Sequence, residues 1–134
     1  MSSEQFETGL KVRKEVLGEA HVEASLAKAD DFNRDFQEMI TEYAWGGSWG
    51  RGVLSKQHRS ILNLGMLAAL NRSHEFKLHF KGALTNGLSL EELREVLIQI
   101  SIYCGVPAAI EAFRWAREVC EAEGLDVSNM DTEK

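Results

Sequence analysis

Between Trp45 and Gly52 the chain reads Trp-Gly-Gly-Ser-Trp-Gly-Arg-Gly, so two of its three tryptophans stand among four glycines beside Arg51. Tryptophan supplies flat apolar walls, and arginine supplies a permanently charged fork suited to carboxylates. Glycine lets a backbone turn sharply or approach a ligand closely. These are the parts of a pocket for a small anion. The same tryptophans could instead anchor an oligomer interface, where such residues are enriched. Glu42 and Tyr43 precede the segment, and helical spacing favours Tyr43 as a core residue. Arg59 follows Ser55 by four residues, in the first turn of an expected helix, where the macrodipole disfavours a cation. Such a cation either serves a ligand, with His58 and the free N–H groups of that turn, or pairs with an acid elsewhere.

A second group lies in Arg72-Ser73-His74-Glu75-Phe76-Lys77-Leu78-His79. Glu75 and His79 are four apart, one turn above each other on a helix. A neighbouring carboxylate favours the imidazolium, so this spacing predicts a His79 pKa at or above neutrality. That group is either a general acid at a pocket edge or an ordinary surface ion pair. Tyr103 is a lesser candidate, while His21 and His74 read as surface residues. Cys104 and Cys120 fall inside helical patterns with no histidine cluster near them, which suggests structural thiols rather than a metal site. The chain has no GxGxxG, P-loop, HExxH, GxSxG or CxxC, so nucleotide binding, zinc or serine hydrolysis and dithiol redox chemistry lack support.

The elements that must position these groups read as helices. Helix formers dominate and only one proline occurs. A first helix spans Phe6 to Leu17 with Gly18 as its stop, and a second spans about Glu19 to Lys28. Asp30 and Asp31 offer N-caps for a third helix through Tyr43, with Phe32, Phe36, Met39, Ile40 and Tyr43 on one stripe. The glycine-tryptophan segment then ends it. Ser55 caps a helix to about Leu70 whose second half is apolar nearly all round, suiting the centre of a bundle. Ser73 caps another, closed at Asn86-Gly87. Ser89 and Glu92 form a capping box for a helix with Leu93, Val96, Leu97, Ile100 and Cys104 on its inner stripe. Pro107 starts a last helix, carrying Ile110, Phe113, Ala116 and Val119, which Gly124 ends. The expected fold is an all-α, single-domain bundle of about six or seven helices over residues 1–125, with a polar, frayed tail over 126–134.

At 134 residues the chain can bury roughly 70% of its unfolded surface. Its net charge of −6 and lack of a basic stripe argue against nucleic acid. No apolar run is long enough to span a membrane, and the N-terminus has no signal-peptide pattern, so a cytoplasmic location is expected.

The dispersed motifs Ala44-Trp45-Gly46, Trp49, Arg51, Arg59-Ser60, His79, Gly82-Ala83, Asn86-Gly87, Glu91-Glu92 and Tyr103-Cys104-Gly105-Val106-Pro107-Ala108-Ala109 resemble the γ-carboxymuconolactone decarboxylases. Val16-Leu17-Gly18-Glu19-Ala20-His21-Val22 and Asp31-Phe32-Asn33-Arg34-Asp35-Phe36 are also similar, so the resemblance runs from about Gly9 to Leu125. It implies an alkylhydroperoxidase D-like helical subunit, a homo-oligomer, commonly a hexamer, and a step in bacterial protocatechuate breakdown toward 3-oxoadipate. Relatives in that superfamily carry Cys-x-x-Cys-x-x-x-His. Arg72 and Glu75 stand here where those cysteines would be, so dithiol peroxidase activity does not carry over.

The implied reaction needs no metal and no cofactor. Loss of carbon dioxide from the γ-carbon of the lactone leaves electrons that flow through the ring double bond to the carbonyl. Protonating the resulting dienolate at the α-carbon gives the enol-lactone. The resemblance therefore suggests Arg51 and Arg59 as anion donors, His79 with Glu75 as the proton donor, and Trp45 and Trp49 as walls excluding water. Glu42, His58 and Tyr103 complete the expected binding set for a small lactone dicarboxylate. Two alternatives stand beside this reading: an enzyme of the same fold acting on another lactone or β-keto acid, and a non-catalytic helical binding or assembly module.

Overall fold

The computed structural model describes residues 3–130, and every described element is helical. Seven α-helices and one π-helical segment fall into two compact units, residues 1–59 and 60–134, with the boundary inside the fourth helix. The all-α expectation therefore holds.

In the first unit, α1 (Glu4–Leu17) starts where the Ser3 hydroxyl accepts the Phe6 N–H at 3.0 Å. Gly18, at φ 94°, ends α1 and opens α2 (Glu19–Ala27), as its position after Leu17 predicts. Asp30 does not cap the third helix. Its carboxylate accepts the N–H groups of Phe32 and Asn33, and Asn33 takes the N-cap position. Helix α3 covers only Arg34–Ile40, and the chain then widens into a π-helix over Thr41–Trp49 that stops at Gly50.

The glycine-tryptophan segment is therefore not a break in the helix but its π-helical continuation. Gly46 of this segment and Gly9 of α1 serve packing. A Cβ on Gly9 would lie 2.0 Å from the Thr41 carbonyl oxygen, and one on Gly46 would lie 2.3 Å from that of Gln5. Without side chains there, α1 and the π-helix pack backbone to backbone. Thr41, Trp45 and Trp49 turn inward against α1, and both tryptophans are below 10% exposed. Most of the expected stripe faces outward: Phe32, in the turn before α3, is 99% and Tyr43, in the π-helix, 76% exposed, with Phe36 and Met39 about half exposed and Ile40 partly buried. Tyr43 is a surface residue, contrary to its expected place in the core.

Ser55 caps α4 (Lys56–Ala69), its hydroxyl accepting the His58 N–H at 3.0 Å. In the second unit, the rest of α4 packs with α5 (Ser73–Thr85), α6 (Leu90–Tyr103) and α7 (Val106–Ala122) around Leu64, Phe76, Phe80, Leu93, Leu97 and Trp115. The expected capping box is complete: Glu92 N–H to Ser89 Oγ and Ser89 N–H to the Glu92 carboxylate, each 3.0 Å. Gly87 (φ 95°) and Gly124 (φ 73°) end their helices as predicted.

Four expectations change within this unit. Ser73 does not cap α5 but is its first residue, with Arg72 at the N-cap and no side-chain cap hydrogen bond. Helix α4 is not buried on most sides, because Leu64 and Ala68 face the core while Leu62, Met66 and Leu70 are exposed. On α7 the inner stripe is Ala109, Ala112, Trp115, Ala116, Val119 and Cys120. Trp115 meets Phe76 at 5.4 Å between ring centroids, and Ile110 and Phe113 point outward. The polar tail is anchored rather than frayed over its described part. Leu125, Val127 and Met130 pack against the core, and Asp126 accepts the Ser128 N–H and hydroxyl. Residues 131–134 lie outside the described residues. Among those described, no helix is long and apolar enough to cross a membrane.

Candidate active site

The cationic and aromatic candidates belong to the first unit. Trp45 and Trp49 are one turn apart on the inner face of the π-helix and stack with ring centroids 5.0 Å apart, inclined by 27°. Beyond them the chain reverses through residues 50–55 into α4. Arg59 reaches back over this reversal: Nη1 donates to Ser48 Oγ and Nη2 to the Arg51 carbonyl, both at 3.3 Å. Its Nε is buried with no hydrogen-bond partner among the described residues. No carboxylate among those residues lies within 4.0 Å of Arg51 or Arg59, so neither cation is committed to an internal ion pair. An unneutralised guanidinium held against a backbone carbonyl is a strong donor for an incoming carboxylate.

Not every predicted binding residue joins this group. Glu42 projects into a separate cleft of about 470 Å³, whose lining includes Phe6, Asp35, Glu38 and Tyr43. There its carboxylate accepts the Ser3 hydroxyl at 2.9 Å, and its backbone carbonyl accepts Gln5 Nε2. Three carboxylates line that cleft, so its charge disfavours a dicarboxylate there. His58 is exposed, and its N–H is already taken by Ser55, which removes one donor from the expected helix-end cradle.

The second unit carries His79, Glu75 and Tyr103. Tyr103 ends α6 with 80% exposure. His79 stands half-buried on α5 beside the buried Phe76, Phe80 and Ala83. Burial disfavours its charged form and Glu75 favours it; burial prevails, and the pKa falls from 6.5 to about 4. The spacing argument identified the charge effect of Glu75 correctly and missed the larger cost of desolvation. At neutral pH the imidazole of the free protein is therefore neutral. At the C-cap of the same helix, Asn86 Nδ2 donates to the fully buried Ser60 Oγ at 2.9 Å, joining two of the dispersed sequence motifs.

Sequence reasoning missed three of these polar contributors. Ser48 had one available signal, a hydroxyl inside the glycine-tryptophan segment. Arg13, only 5% exposed, donates to Thr41 Oγ1 and Gln37 Oε1 at 3.0 and 3.1 Å, and burial lowers its pKa. Its signal was a cation on the stripe with Gly9, Val12 and Val16. The Ser60–Asn86 pair, the third, was visible only as members of two separate motifs, with nothing in the sequence to bring them together.

The fold is that of a small all-helical protein whose first unit carries two arginines without an internal ion pair among the described residues and whose second carries a desolvated imidazole. Residues 34–118 match the model of the carboxymuconolactone decarboxylase family, and the chain belongs to that family. It is 41% identical over 126 residues to the 4-carboxymuconolactone decarboxylase of Acinetobacter baylyi, covering 93% of this chain and 94% of that one. It is 45% identical over 107 residues to a nitrosuccinic acid decarboxylase of Metarhizium robertsii, covering 80% and 75% respectively. A shorter match, 51% over 43 residues, joins it to a 4-carboxymuconolactone decarboxylase of Pseudomonas putida, covering 32% of this chain and 90% of that one.

Proposed function

We propose that the protein decarboxylates 4-carboxymuconolactone to the 3-oxoadipate enol-lactone, as a cytoplasmic homo-oligomer acting in protocatechuate catabolism. The observation that carries this reading is the Arg59 guanidinium, fixed on Ser48 and the Arg51 carbonyl with no carboxylate partner among the described residues. Similarity to the Acinetobacter enzyme along nearly the full length of both chains supports the choice of substrate.

In this reading the arginines receive the retained acetate arm and the lactone oxygen on which charge develops. Donors already in place cost no reorganisation when that charge appears. The departing carboxylate must not be gripped tightly, since that would stabilise the ground state instead. The C–C bond to the leaving carboxylate breaks, its electron pair enters the lactone π-system, and one proton is needed at the α-carbon. His79 supplies it. The negative charge of the substrate raises the imidazole from its free-protein value near 4, so the proton arrives with the ligand.

Carbon dioxide release from the lactone tests the assignment directly. His79→Ala should lower kcat at least tenfold with the assembly intact, and unchanged turnover would remove His79 from the mechanism. Arg51→Lys keeps the charge and loses the fork, so it should raise the substrate Kd; an unaltered Kd would rule out bidentate binding.

A second substrate follows from the 45% identity to the nitrosuccinic acid decarboxylase. Nitrosuccinate also carries two carboxylates, and a nitro group can accept the electron pair as a nitronate, so the same donors would serve it. Comparing kcat/KM for the two compounds decides between them.

A further inference from the structure

In the second unit a chamber of about 160 Å³ opens among α5, α6 and α7, walled by the buried Phe80, Leu93, Leu97 and Cys120. Val127 and Met130 of the anchored C-terminal segment also line it. Among the described residues its only charged lining is Arg94 and Arg117. They share the chamber's helix faces, Arg94 between Leu93 and Leu97 on α6 and Arg117 beside Ala116 on α7. Both side chains are exposed. Arg117 makes no ion pair among the described residues, and Arg94 has only its sequence neighbour Glu95 at 3.9 Å.

We propose that this chamber binds a small aromatic monocarboxylate, its ring among the apolar walls and its carboxylate on Arg94 and Arg117. The volume is that of a dry protein cavity known to accept a benzene ring, about 150 Å³. Two guanidinium groups, with no acid lining the chamber among the described residues, select an anion and can hold a carboxylate by charge-assisted bonds. A dicarboxylate is rejected, because its second charge would be stranded among leucines without a partner. The ligand class therefore differs from the proposed substrate, and the inference stands independently of the decarboxylation reading.

Benzoate is the probe, added to the full-length protein with methyl-labelled methionine and leucine followed by NMR. Saturable shifts at Met130, Leu93 and Leu97 are expected, with benzylamine at least tenfold weaker. The double variant R94Q/R117Q changes two exposed side chains. It should raise the benzoate Kd at least tenfold while altering that of benzyl alcohol less than twofold. The proposal is overturned by the absence of saturable shifts at those methyls, by shifts confined to other regions, or by benzylamine binding as tightly as benzoate. An unaltered benzoate Kd in the double variant overturns it equally, and the benzylamine comparison needs no variant at all.

Discussion

A guanidinium in the first turn of a helix sits at the positive end of the macrodipole, and Arg59 escapes that position by reaching back to Ser48 and the Arg51 carbonyl. Under the proposed function Ser48 is a positioning residue for Arg59. Ser48→Ala removes one acceptor worth roughly 0.5–1.5 kcal/mol, so kcat/KM for the lactone should fall about two- to tenfold at unchanged melting temperature. Ser48→Thr should restore it, and an Ala variant of full activity would show that Arg59 needs no such anchor. His79 gives a different signal. Its folded pKa of about 4 lies below the unfolded value of 6.5, so the unfolded chain binds the proton more readily. The stability contributed by the neutral imidazole is complete above pH 6.5 and is lost as pH falls toward 4. Urea unfolding at pH 7 and pH 4.5 should therefore show His79→Gln losing about 2–3 kcal/mol less than the parent. Equal losses would mean that the ring is not desolvated. In solution, dicarboxylate binding near pH 6 should take up protons, seen by calorimetry in two buffers of different ionisation enthalpy, and His79→Gln should abolish that uptake.

Helix ends were legible because caps are local. Gly18, Ser55, Ser89-Glu92, Asn86-Gly87 and Gly124 each satisfy or release backbone groups within a few residues, whatever packs nearby. Ser89→Ala should accordingly cost about 1 kcal/mol in denaturant unfolding. The π-helical stretch was not legible in this way. Thr41 Oγ1 donates to the Gln37 carbonyl four residues back while accepting from Arg13 on α1, so the widened turn depends on a residue 28 positions distant. Once the period changes, so does the inner face: Thr41, Trp45 and Trp49 go in, and Tyr43 goes out. The glycines follow the same logic. Gly9→Ala and Gly46→Ala each force a methyl into a backbone carbonyl and should destabilise by about 1–3 kcal/mol or more. Melting curves check this, and a tolerated pair would show that α1 and the π-helix are free to separate. The segment expected to end the third helix is thereby a packing seam over its π-helical part.

At the scale of the whole molecule, exposed apolar residues recur in both units: Phe32, Phe36 and Tyr43 in one, Ile102, Val106 and Ile110 in the other. Scattered singly they would need no explanation, but their number supports the proposed homo-oligomer. Sedimentation should give a hexamer of 15.0 kDa chains, and a monomer at micromolar concentration would refute that assembly. The resemblance in the sequence was sufficient for the family, because its motifs are dispersed across the chain in a fixed order and need no geometry to be recognised. Sequence alone also determined the all-helical class, most helix ends and the residue types available for anion chemistry, all of which depend on composition and near neighbours. Only the tertiary structure decided that Glu42 stands in an acidic cleft, that Arg59 is braced by Ser48, and that His79 is neutral. Those outcomes turn on desolvation and on contacts between residues far apart in the chain, and neither quantity exists until the chain has folded.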